Sequence, residues 1–371
     1  MTFACRFPVN SIGLYMVLKS SLVITLILIT SFVANGQSRF DGNQDSQGRR
    51  TGVWKKYYGN RLESETNYKS GLREGSHKDF WRSGYVYQVG QYASDKRVGQ
   101  WTLYHDETTQ IKEQGRYLNG LKSGSWKYYT KKGTLRSVTN YLAGKKSGLY
   151  ESFWKANVPD EKGNYLEGKK IGDWIKYDYK RETNESFLRY KGTYGKGEIK
   201  TGRWEEYRYL TDNLKKVETF NDAGVLNGPY EEYDYSNRLI AKGDMRLGKR
   251  NGTWSLREND GEYKKTITYS DGIKNGPYEK QTRFNKLIDK GSFQNDQKSG
   301  YWEETDNSGI KNKGKYSADK KVGKWEVFHP EVTTHPVIVL EFSPEGLELT
   351  RRQYNQENSL LMEVTYNAVD G

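Results

Sequence analysis

Cysteine is nearly absent from this chain: of 371 residues, only Cys5 is one. It lies upstream of an apolar run at residues 22–30, so a chain exported without that leader has no disulfide, no thiolate metal site and no cysteine nucleophile. Aliphatic residues are scarce as well. The hydrophobic share is 34%, and Tyr (30), Trp (10) and Phe (12) supply over a third of it. With 39 glycines added, this composition excludes a thick core and suits thin layers in which rings cover a sheet face. Long helices are disfavoured, because glycine falls every few residues and no segment holds a 3.6-residue period.

Catalytic signatures are missing too. The four histidines (His77, His105, His329 and His335) have no metal-ligand spacing. No carboxylate pair stands out as an acid/base couple, and no phosphate-binding glycine loop carries its Lys-Ser/Thr. Gly195-Lys196-Gly197 reads as a turn. These absences point away from an enzyme, and no cofactor or metal is expected.

Residues 1–36 read as a secretory signal. Lys19 gives the positive start, Leu22 to Thr30 the apolar stretch, and Ala34-Asn35-Gly36 the small residues before cleavage. Residues 1–15 fit poorly ahead of it, which makes Met16 an alternative start. The apolar run is shorter than the ~20 residues of a span, so no stable membrane span is expected after cleavage. The expected location is the periplasm or the extracellular space, and nucleic acid is not an expected partner. Residues 37–50 are polar and read as a linker.

What the chain has in abundance is repetition over residues 51–330. A glycine recurs at Gly52, Gly75, Gly99, Gly124 and onward to Gly323, mostly 23 to 25 residues apart. Two residues after it stands a ring, as in Trp54, Trp101, Trp126, Tyr150 and Trp174; only His77 breaks that rule. Seven residues before it stands a second ring (Tyr68, Tyr92, Tyr117, Tyr141), and four before it Gly or Asp (Gly71, Asp95, Gly120). Gly and Asp mark a turn, so each unit reads as strand, turn, strand, turn. In Trp126-Lys127-Tyr128-Tyr129 the outer rings fall on opposite faces of a regular strand. Either both faces carry rings or a bulge follows the Trp. The step from Gly172 to Gly202 is 30 residues, placing an insertion at about 179–200. Residues 331–371 are more aliphatic and read as a β cap over the open end of the stack.

The run Tyr117-x-Asn119-Gly120-x-Lys122-x-Gly124 resembles the MORN repeat, and so do Tyr141-Leu142-Ala143-Gly144-Lys145 and Tyr165-Leu166-Glu167-Gly168-Lys169. Gly-x-Trp in place of Gly-x-Gly is similar to the bacterial, antitoxin-like variant of that family. The resemblance implies consecutive β-hairpins in an elongated, twisted, single-layer sheet used for protein or lipid-surface contact. The expected fold is therefore all-β: an elongated single-layer antiparallel sheet of about twelve consecutive hairpin repeats. A six-bladed β-propeller, with units taken in pairs, is the alternative.

Candidate binding residues are those the repeat does not require. Second-position rings Tyr58, Trp81, Tyr129 and Trp154 are candidates for solvent-facing contacts. Periodic cations at the turns (Lys122, Lys145, Lys146, Lys169, Lys170, Lys249, Arg250, Lys320 and Lys321) form a basic row along one edge, suited to an anionic surface or, more simply, to solubility. The expected function is a non-catalytic scaffold that meets a protein partner in the cell envelope. Glycan or cell-wall binding through rows of exposed rings is the alternative.

Overall fold

The structure, a computed structural model, describes residues 37–258 and 261–366; the expected signal at 1–36 lies outside them. Among the described residues there are 27 strands, numbered here in chain order, and no α-helix. Each strand pairs antiparallel with its neighbours in sequence and with no other, which gives one open sheet. That rules out the propeller, whose strands would divide into separate blades. At about 4.8 Å per strand the sheet is roughly 125 Å long.

The unit is best seen in β7 (Ile111–Leu118), β8 (Leu121–Tyr129) and β9 (Leu135–Leu142). Leu118 pairs with Leu121, so Asn119 and Gly120 alone make the tight turn, with φ of 50° and 84°. Two positive φ values define the mirror-image turn whose twist matches a hairpin, which explains the Gly/Asp column. The glycine of Gly-x-aromatic has a different role. Gln114 pairs with Lys127 and Arg116 with Ser123, so Gly115 alone faces Gly124, Ser125 and Trp126. This bulge ends at the Trp, with Gly124 supplying the positive φ it needs, and a second irregularity follows the Trp, where Tyr128 pairs with Ser137 but Tyr129 with Leu135.

This bulge lowers the ring onto the strand before it. A Cβ on Gly115 would lie 2.3 Å from Cδ2 of Trp126, so the indole sits directly on bare backbone. Its Nε1 donates to the Arg116 carbonyl at 3.1 Å, satisfying the one polar atom of a fully buried ring. The same seat recurs at Gly90 under Trp101, Gly163 under Trp174, Gly243 under Trp254 and Gly314 under Trp325. Where the ring is smaller, the seat has a side chain: Thr66 faces His77, Thr139 faces Tyr150 and Ile267 faces Tyr278. The bulge glycine follows suit, with φ of 62–71° before each Trp and 92–121° before His77, Tyr150, Tyr230 and Tyr278. Tyr117 stands edge-on between Trp101 (5.8 Å) and Trp126 (5.1 Å), so the two ring columns interlock into one core on one face.

Three regions depart from expectation. Residues 38–44 form β1 (Ser38–Gln44), paired with β2 (Arg50–Tyr58), and are no free linker. Gly42 is the seat for Trp54, so the first unit needs this strand. At the other end, β24 (Lys320–Phe328) pairs with β25 (Ile338–Phe342), and β26 (Glu348–Tyr354) and β27 (Leu360–Thr365) follow. The tail therefore extends the sheet instead of covering its end. The insertion is spread over a longer hairpin, β12 (Lys169–Lys180) with β13 (Glu185–Tyr194), and a longer turn in which Gly195 N donates to the Ile199 carbonyl.

Candidate binding surfaces

The cations at the tight turns divide by position. The first of each pair (Lys145, Lys169, Lys249 and Lys320) is exposed at the turn tip. The second turns inward over the ring core. Nζ of Lys122 lies 3.8 Å from the Trp126 ring centroid, that of Lys170 4.0 Å from Trp174 and that of Lys321 4.3 Å from Trp325. The Arg250 guanidinium lies 4.5 Å from Trp254, and Lys146 covers Tyr165 at 4.8 Å. Carboxylates on the same face hold several of them: Lys122 reaches Glu113 at 3.0 Å and Lys170 reaches Glu161 at 2.7 Å. Half of the expected basic row is therefore a lid on the core, anchored by cation–π contact and ion pairing. Only the turn-tip lysines stay available to a partner. Between them stand exposed Leu118, Leu121, Leu142, Leu166 and Leu247, which sequence reasoning passed over.

The paired acids of the sequence divide between faces. Glu205, Glu231 and Glu303 pair across strands with Lys191, Lys242 and Lys313 on the face away from the Trp column. Glu206 and Glu304 face the core side, where Glu206 meets Lys215 at 2.7 Å and Glu304 accepts from the Tyr316 hydroxyl at 3.0 Å. The back face is thus a ladder of alternating charge, already paired with itself. Glu205 illustrates it. Partial burial pushes its pKa up, and hydrogen bonds from Tyr207, Lys191 and Arg203 more than reverse this, leaving it at about 2.

The second-position rings do not form one row. Tyr58 is exposed. Tyr129 is half-buried, its hydroxyl accepting from Gln114 Nε2 at 3.0 Å. Trp81 is half-buried against Tyr87, with centroids 4.4 Å apart. Trp154 is 48% exposed; its Nε1 donates to the Tyr177 carbonyl at 3.2 Å, and Tyr179 lies nearly parallel at 6.2 Å. Tyr209, Tyr235 and Phe284 are more exposed still and were missed. Their signal in the sequence was a ring inside a turn, outside the repeat's own ring positions. A hollow of about 680 Å³ lies among Arg238, Arg257, Arg283 and Phe284, with Arg238 tied to Asp234 at 2.7 Å.

Among the described residues no group of three or more His, Cys, Asp or Glu side chains is placed to hold a metal ion. His77 is a core residue: Nδ1 lies 2.8 Å from the Thr66 hydroxyl and Nε2 3.0 Å from Asp79. Compared with known protein families and with curated proteins, the chain matches none. Geometry alone therefore carries the functional reading.

Proposed function

We propose that this chain is a MORN-like, non-catalytic repeat protein, exported to the cell envelope, that serves as a scaffold for a protein partner. The observation that carries the proposal is the outer edge of β27. Among the described residues β27 pairs only with β26, and Leu360, Leu361 and Met362 on it are exposed. An unpaired strand edge offers a row of backbone donors and acceptors, and apolar side chains beside them favour an added strand of polypeptide. The repeats support the reading in another way. They use their column rings and the inward cation of each turn internally, so neither is free to serve a partner.

The test is crosslinking in intact envelopes with a photoreactive residue at position 361, compared with one at position 55 on the charged back face. A single partner captured at 361, lost when Glu363→Pro removes an outward backbone donor, is the expected result. Equal capture at both positions, or none at either, counts against the scaffold.

A further inference from the structure

One hollow of the ring-bearing face lies beside Ser152. Two residues after the column ring, most units carry a long side chain, among them Leu103, Tyr128, Lys176, Leu256 and Lys280. In β10 (Lys145–Lys155) that position is Ser152, and the residue paired with it on β9 is Ser137. The column ring of this unit is Tyr150 rather than a Trp. Two adjacent small residues leave a hollow of about 400 Å³, walled by Tyr150, Trp154, Asp160 and Arg136.

The walls are fixed. Asp160 accepts from the Ser152 hydroxyl at 2.9 Å through one oxygen and from Lys176 Nζ at 2.6 Å through the other. Trp154 stands next to the end of β10, its indole tethered to the Tyr177 carbonyl. The site thus joins a fixed, half-exposed aromatic plate to a floor of hydroxyls and a carboxylate.

We propose that this hollow binds one pyranose ring of a polysaccharide. A pyranose has an apolar C–H face, which suits an indole plate, and a rim of hydroxyls, which suits serine hydroxyls and a carboxylate. The hollow lies on a face and not at a strand edge, so an added peptide strand has no backbone groups to pair with. The alternative of long rows of exposed rings narrows to a single subsite, because the Trp column is buried beneath its own lysines. This site stands independently of the partner edge at β27.

The test is affinity electrophoresis of the full chain in gels containing galactomannan, xylan or polygalacturonate, with calorimetry on the matching hexasaccharides. At least one of these probes retards the protein if the proposal holds. Trp154→Ala then weakens binding about tenfold or more. Ser137→Leu, which refills the hollow, abolishes binding, and Trp81→Ala leaves it intact. Retardation that survives both Trp154→Ala and Ser137→Leu overturns the proposal, and so does failure of every probe.

Discussion

A ring seated on bare backbone sets a sharp limit on one atom. In Gly115→Ala the new Cβ meets the Trp126 ring at 2.3 Å, and the ring is fully buried with its Nε1 bonded. Overpacking of this kind costs about 3 kcal/mol, read as a lower thermal midpoint. The chain itself offers the compensation, since Thr139 faces Tyr150 elsewhere. Gly115→Thr combined with Trp126→Tyr is expected to recover most of the loss. If the double variant is no better than the sum of its parts, seat and ring are not matched. Turn residues allow a change in the other direction. Leu247 is 66% exposed and holds a φ of 48°, a conformation unfavourable for a side chain that cannot bond its own backbone. Leu247→Asn is expected to stabilise the protein by about 1 kcal/mol in chemical denaturation.

At the scale of the hairpin, adjacent cations have different roles. Lys122→Met removes the charge held between Trp126 and Glu113 and is expected to lose about 1 kcal/mol, whereas Lys145→Met at a turn tip is near neutral. Equal losses would mean that the lid contributes nothing. The back-face ladder adds a pH dependence. Glu205 has a folded pKa of about 2 against an ordinary 4.5, so its contribution is complete above 4.5 and vanishes as pH falls towards 2. Wild-type midpoints should therefore drop more steeply across that window than those of Glu205→Gln, and parallel curves would count against the ladder. Much of the hairpin was legible in advance, because Gly120 and the ring columns recur at fixed spacing and local turn chemistry depends on few residues. The bulge was legible only as one of two options. Its place depends on which residue of the neighbouring strand lies under the ring, and only strand pairing sets Gly115 beneath Trp126. Lys145 and Lys146 look alike in sequence for the same reason. Only strand register shows that one points out from the turn and its neighbour folds over the rings.

For the whole molecule, stability should be a sum of neighbouring hairpins rather than one cooperative core. Rings reach as far as the next strand but one, as Tyr150 on β10 does to Trp174 on β12, and each strand pairs only with the next, so contacts stay local along the described length. In such a stack an interior defect separates two blocks that can melt independently. Trp174 joins β11 (Val158–Leu166) to β12 midway along the sheet, is fully buried and donates to the Asn164 carbonyl at 3.1 Å. Trp174→Ala removes about 3–5 kcal/mol of local packing. It is expected to split thermal unfolding into two transitions, with hydrogen exchange accelerated in β11–β13 while β7–β9 keep their protection. Trp325→Ala at the far end should instead fray β24 to β27 and leave one main transition. Uniform loss of protection along the chain in either variant would show that the sheet unfolds as a single unit, and a partner bound at β27 could then be sensed as far away as β1.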